Sequence, residues 1–196
     1  MMSRLLLFVV VFTSLIIHLT VLATMICDSS TGFDSCCPST NDEFFIEYNA
    51  LHILHHAYYG CTNLTSVVLP CSVSSIYYSA FAECTNLAYV EIPNSVNVIE
   101  YEAFRGCVSL TSVIIPSSVR ELMDQAFYNC TSLTSVTMSN YLAGTLEKRS
   151  DDDAEYGVFY RTPLADVKFA YCPTYRNDTL VTYTSDGSVT PVGPLP

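Results

Sequence analysis

The chain has 196 residues, enough for one ordinary domain or one stack of repeats. Half of it is apolar, and 19 acidic residues against 8 basic ones give a formal charge of −11. With no basic cluster, that balance excludes a nucleic-acid binder, whose partner's phosphates need lysine and arginine, and it disfavours an anionic membrane surface.

Residues 1–23 read as a targeting segment. Arg4 is its single positive charge, and the apolar run from Leu5 to Ala23 is interrupted only by Thr13, Ser14, His18 and Thr20. Val21-Leu22-Ala23 supplies the small residue a signal peptidase requires, which predicts cleavage after Ala23. The run is also just long enough to cross a bilayer, so an uncleaved signal anchor is the alternative, and membrane contact is expected only in that case. Met25-Ile26 before Cys27 lacks the small residue of a bacterial lipid-anchor motif. Residues 24–37 read as an N-terminal cap, in which Cys27 with Cys36 or Cys37 makes a plausible bridge.

From residue 38 to 170 the sequence repeats. Cys61, Cys84, Cys107 and Cys130 recur every 23 residues. Cys61-Thr-Asn-Leu64-Thr-Ser-Val67-Val-Leu69-Pro70 returns as Cys84-Thr-Asn-Leu87-Ala-Tyr-Val90-Glu-Ile92-Pro93, then as Cys107-Val-Ser-Leu110-Thr-Ser-Val113-Ile-Ile115-Pro116, and in part from Cys130 to Met138. The second half of each unit carries Val73, Ile76, Ala80 and Phe81, then Val96, Ile99, Ala103 and Phe104, then Val119, Leu122, Ala126 and Phe127. A fixed period of this length marks a solenoid. The two apolar residues two apart predict one face of a short strand, which the following proline ends. The apolar residues of the second half predict a tight helical turn returning on the other side. No unit can bury these residues alone, and stacked units bury them against each other.

Eroded copies extend the array to about six units. Phe44, Ile46, Ala50, Ile53, Ala57 and Tyr58 lie one period before the first clear unit. At the far end Val158-Phe159 stands where Ala-Phe should, and Leu164, Val167 and Phe169 repeat the strand spacing. An acidic insertion at 143–156, charged from Glu147 to Glu155, lengthens that last unit. Residues 171–196 form a C-terminal tail, which from Pro173 onward loses the register, is rich in Thr, Pro and Gly, and reads as a linker or disordered end.

The motif Leu-x-x-Val-x-Ile-Pro, then Ser-Val..Ile...Ala-Phe, then Cys, resembles the BspA-like leucine-rich-repeat family, also called the Treponema pallidum type. The likeness is close over 61–138 and looser over 38–170. It implies an α/β, β-rich leucine-rich-repeat solenoid, with short parallel strands on the concave side and short strands or helical turns on the convex side. It also implies an extracellular or surface protein that binds proteins or mediates adhesion.

Few residues suggest chemistry. The repeated cysteines read as a buried ladder of small apolar side chains, because free cysteine packs well and stacked thiols that point the same way are poorly placed to bond. Cys71 falls at a strand-end turn and is expected to be exposed. His52, His55 and His56 have a spacing that could hold a metal, yet by register they match Ser75, Tyr78 and Ser79, on an outward convex face. No catalytic motif, phosphate-cradling loop or cofactor site is visible, so no enzyme, metal or cofactor is expected. Asn63, Asn129 and Asn177 head N-glycosylation sequons. The candidate binding face is the concave strip of Ser66, Val68, Tyr89, Glu91, Ser112, Ile114, Ser135 and Thr137. Six strands would give it roughly 24 Å by 15 Å, about 360 Å², below the ~800 Å² per partner of a stable interface. The expected partner is a protein or cell-surface component at or outside the cell surface.

Overall fold

The structure is a computed structural model that describes Cys37, Ile46 and residues 49–149, 157–165, 167, 169 and 176–192. The repeat folds into a parallel-strand solenoid of about four turns. One side carries β1 (His52–Ile53), β3 (Ser75–Ile76), β5 (Val98–Ile99) and β7 (Glu121–Leu122). The other carries β2 (Ser66–Val68), β4 (Tyr89–Glu91), β6 (Ser112–Ile114) and the longer β8 (Ser135–Ser139). The sequence period sets the register: Val67 stands on Val90, Val113 on Val136, and Ile53, Ile76, Ile99 and Leu122 form one line. In β2, β4 and β6 the middle residue is buried and both neighbours are exposed, which is the pleat of a half-buried strand.

A third ladder runs along the corner between the two sides. The amides of Tyr58, Phe81, Phe104 and Phe127 donate to the carbonyls of Ala80, Ala103, Ala126 and Val158, at 2.8 to 3.0 Å. Their rings stack into a column, Tyr58 on Phe81, Phe104, Phe127 and Phe159, with centroids 5.1 to 5.6 Å apart. Phe169 and Tyr183 continue it. Offset-stacked rings at this spacing add to the area they bury.

The corner is not the helical turn the apolar spacing predicts. Ala80, Ala82 and Cys84 do donate to carbonyls three residues back. Left-handed residues interrupt the winding twice per unit, however: His56, Ser79, Glu102 and Gln125 in one column, and Gly60, Glu83, Gly106, Asn129 and Arg161 in the next. At His56, Ser79, Gly60, Glu83, Gly106 and Asn129 the amide of the left-handed residue itself donates to a carbonyl of the neighbouring unit, and the amide after it bonds three residues back. Ser79, placed by register on an outward face, is buried, and its hydroxyl donates to Glu102 Oε2. At Gly106, with φ +71°, a Cβ would sit 2.7 Å from the Glu83 carboxylate, so the position suits a residue without a side chain. Arg105 beside it pairs with Glu102 at 3.1 Å and Glu83 at 3.7 Å.

The far end departs most from the sequence reading. The proline that ends the strand at 70, 93 and 116 is Ser139 in the fourth unit. There β8 runs on, and Ser139 Oγ accepts a hydrogen bond from the Leu142 amide, capping a helix, α1 (Asn140–Arg149). The first part of the acidic insertion is therefore helical, and Leu142, Ala143 and Leu146 are buried. Residues 150–156 lie outside the described residues. The tail is not a linker over its described length. It forms a hairpin, β9 (Leu180–Thr184) and β10 (Val189–Pro191), and β9 pairs antiparallel with β8 from Ser135↔Thr184 to Ser139↔Leu180. Val181 and Tyr183 are buried by this docking. Ser188 and Val192 bond inward to β9, so by alternation Val189 and Pro191 face outward, and the proline offers no amide to a further strand. Reversing strand direction and ending on proline terminates the ladder.

Candidate functional site

The concave sheet, extended by the hairpin, presents two rows of side chains. The first row follows strand pairing through Ser66, Tyr89, Ser112, Ser135 and Thr184. The second passes through Val68, Glu91, Ile114, Thr137, Thr182 and Thr190. The rows cross two blocks, because β4 and β6 are not hydrogen-bonded neighbours.

The two ends of this face differ. On β2, β4 and β6 the side chains stand clear of the sheet, with Val68 58 %, Tyr89 52 % and Ile114 60 % exposed. The Tyr89 hydroxyl donates to Glu91 Oε2 at 3.3 Å, which lays its ring along the strand, and the carboxylate raises the phenol pKa. On β8 and β9 the hydroxyls meet one another. Thr137 is buried and its Oγ1 lies 2.7 Å from that of Thr182, while Ser135 is half-buried. At the hairpin tip Asp186 accepts hydrogen bonds from the Thr184 hydroxyl and the Ser188 amide, which hold its pKa down at about 2. Ser66, Ser112 and Glu91 are exposed. Of the eight residues placed on the face by sequence, six are open, Ser135 is half-buried and Thr137 is covered by the hairpin. The alternation in Leu180-Val-Thr-Tyr-Thr184 before Ser-Asp-Gly187 was the signal for that cover.

The cysteine ladder divides in two. Cys84, Cys107 and Cys130 are buried free thiols. Each Sγ donates back to the aromatic carbonyl of the preceding unit: to Tyr58 at 3.0 Å, Phe81 at 3.2 Å and Phe104 at 3.1 Å. Burial pushes the pKa of Cys84 and Cys130 up to about 12, and that of Cys107 well above its usual value, which makes all three poor nucleophiles. Cys61 is different. It is bonded to Cys37, with Cα atoms 5.1 Å apart, so neither a pairing of Cys37 with Cys27 nor a reduced Cys61 holds. As the first rung of the column it meets Cys37 on one side and the Cys84 rung on the other. Cys27, Cys36 and Cys172 lie outside the described residues. Cys71 is a free, exposed thiol.

The three histidines sit on the convex side beside tyrosines. His52 and His55 stack on Tyr77, and His56 lies edge-on to Tyr78. His55 Nδ1 is 3.9 Å from Glu100. Among the described residues no group of three or more histidine, cysteine or carboxylate side chains could hold a metal. Asn63 and Asn177 are exposed, whereas Asn129 is half-buried in a left-handed corner. No helix among the described residues is long and apolar enough to cross a membrane, and residues 5–23 lie outside them.

Three solved structures resemble parts of the chain. One is a Treponema pallidum leucine-rich-repeat protein, 34 % identical over 44 % of this chain and 51 % of its own, with a TM-score of 0.38. The second is a leucine-rich-repeat protein from Bacteroides ovatus, 32 % identical over 46 % of this chain and 24 % of its own, at 0.45. The third, a leucine-rich cell surface protein from Faecalibacterium prausnitzii, is 25 % identical over 68 % of this chain and 27 % of its own, at 0.41. The chain thus spans about half of the first and about a quarter of the others. No curated protein matches it. The model of the BspA type leucine rich repeat region matches residues 51–170 in six copies. With that match over more than half its length, and with the repeat folded as described, the chain belongs to the BspA-type leucine-rich-repeat family.

Proposed function

We propose that the chain is a non-catalytic scaffold, secreted or displayed at a cell surface, that binds a protein or surface component through its concave face. The observation that carries this reading is the exposure of Val68, Tyr89 and Ile114 on a face whose other large apolar side chains are mostly packed inside. An aromatic and two aliphatic side chains held clear of a sheet suit a binding strip better than a solvated surface. The three-residue width shared by all six strands makes the strip about 10 Å wide, and six strands make it about 24 Å long, some 240 Å². That is far below the ~800 Å² per partner of a stable interface, so single-copy binding is weak and several copies bind more tightly.

Cleavage after Ala23 places the chain outside the cell, and sequencing the mature N-terminus tests this. A start at Thr24 is expected, and an intact N-terminus in a membrane fraction would point to an anchored surface protein instead. Asn63 and Asn177, both exposed, are the proposed glycan sites in a glycosylating host, and Asn129 is the poorest of the three. For the face itself, a photo-crosslinking residue is placed at 114 and, separately, at Tyr101 on the convex side. Adducts on the producing cells are expected from position 114 alone. Equal yields from both positions would overturn the concave reading.

A further inference from the structure

The chemistry of the concave face specifies more than a generic protein partner. Glu91 is exposed at the centre of its apolar end, with the Tyr89 ring beside it and Val68 and Ile114 on the flanking strands. Asp186 stands at the hairpin tip, over the Thr184 hydroxyl that shares the Tyr89 row, and stays ionised down to about pH 2. No described lysine or arginine lies on β2, β4, β6, β8, β9 or β10. Across the sheet the two carboxylates are three strands apart, about 14 Å at the usual strand spacing, and along the strands they are offset to opposite sides of the Tyr89–Thr184 row.

We infer that this face takes an extended, basic segment of a partner protein, with one lysine or arginine held between the Tyr89 ring and Glu91 and a second reaching Asp186. The inference rests on the concave-face reading above. A cation over an exposed tyrosine is attracted by the ring as well as by the carboxylate. Four residues of extended chain span about 14 Å, the separation across the sheet, and the long basic side chains cover the offset along the strands, so the basic residues fall at positions i and i+4. Val68 and Ile114 meet the apolar side chains between them. The small area favours a peptide segment over a folded surface, and the two aliphatic flanks favour it over a sugar.

The test uses the full mature chain and a fluorescein-labelled octapeptide with lysine at its second and sixth positions and valine between them. Comparison peptides carry glutamate in place of lysine, or two adjacent lysines. Fluorescence anisotropy at low salt is expected to show binding of the first peptide alone. Glu91→Gln should weaken it about threefold and Tyr89→Ala about fivefold, with added salt acting in the same direction. Ile114→Asp should abolish it. Equal binding of the glutamate peptide, no binding of any peptide, or no effect of Glu91→Gln would overturn the inference. Capture of a neutral glycan that needs Tyr89 but tolerates Glu91→Gln would also overturn it, while leaving the concave face as the binding surface. Failure of the concave reading looks different: crosslinks then come equally from both faces.

Discussion

The corner that carries Phe81 and Phe104 and the strip that carries Tyr89 and Ile114 belong to the same 23-residue unit, yet they follow opposite rules. At the corner every unit repeats its neighbour. Ring stacks on ring, amide bonds to carbonyl, thiol bonds to carbonyl, and solvent is excluded. On the strip the side chains change from one strand to the next, and the backbone ladder itself is interrupted between β4 and β6. The convex sheet and the corner run through that interruption unbroken. Stability is therefore concentrated where the sequence is uniform, and the concave face is free to vary because the fold does not depend on it.

The sharpest way to break this comparison is to cut the corner. Phe104 is fully buried between Phe81 and Phe127. Phe104→Ala is expected to cost about 4 kcal/mol, through lost burial and a cavity that the fixed spacing of stacked units cannot close. Urea unfolding checks it. A cost near that of a surface substitution would mean that the aromatic column is not what joins the turns.

Cysteine gives the next largest effect, and it separates the first rung from those behind it. The Cys37–Cys61 bridge encloses a loop of 24 residues, so Cys37→Ser with Cys61→Ser should cost about 3 kcal/mol. Its loss should fray the N-terminal turn first, seen as hydrogen exchange at the Tyr58 and Gly60 amides, which bond into the next unit.

This division among the cysteines also marks what the sequence could and could not reveal. The period of 23 is enough to place Val67 on Val90, Phe81 on Phe104 and Ile53 on Ile76, because stacking turns a sequence period directly into spatial contact. It says nothing of contacts made only once. Cys61 looks like every other rung until the missing neighbour on one side of it is noticed, where Cys37 reaches it. The β9–β10 hairpin runs antiparallel, so no repeat register announces it. Its sign was local, an alternation of five residues before an Asp-Gly turn. The left-handed corners were hidden for another reason: Ser79, Glu83 and Asn129 hold that conformation without being glycine, through ladder bonds to the adjoining units. The open residues of the concave face follow from alternation alone, but the cover over Thr137 depends on the hairpin.

The inner rungs predict a pH effect with a definite sign. Burial raises the folded-state pKa of Cys84 and Cys130 from 9.0 to about 12. Folding therefore favours the protonated thiols, and their contribution is complete below pH 9 and is lost as pH rises toward 12. The thermal midpoint should fall across that window, and Cys84→Ala with Cys130→Ala should flatten the fall while lowering the starting value. Over the same range below pH 9, a thiol reagent should label Cys71 in the folded chain and spare the three buried thiols.

The smallest effect on stability should come from the strip, and it carries the comparison furthest. Ile114 is 60 % exposed and flanked in sequence by two core residues, Val113 on β6 and Ile115 just after it, that hold the strand in place. Ile114→Ser removes an apolar side chain that mostly faces water, so the unfolding free energy should change by less than about 0.5 kcal/mol. The same substitution should sharply reduce crosslinking and peptide binding at the concave face. A near-neutral stability change with a loss of binding is the signature of a residue retained for contact rather than for folding. A loss of 2 kcal/mol or more would instead mean that the strip is part of the core, held by packing across the gap between β4 and β6, and the separation of scaffold from binding face would fail at that strand.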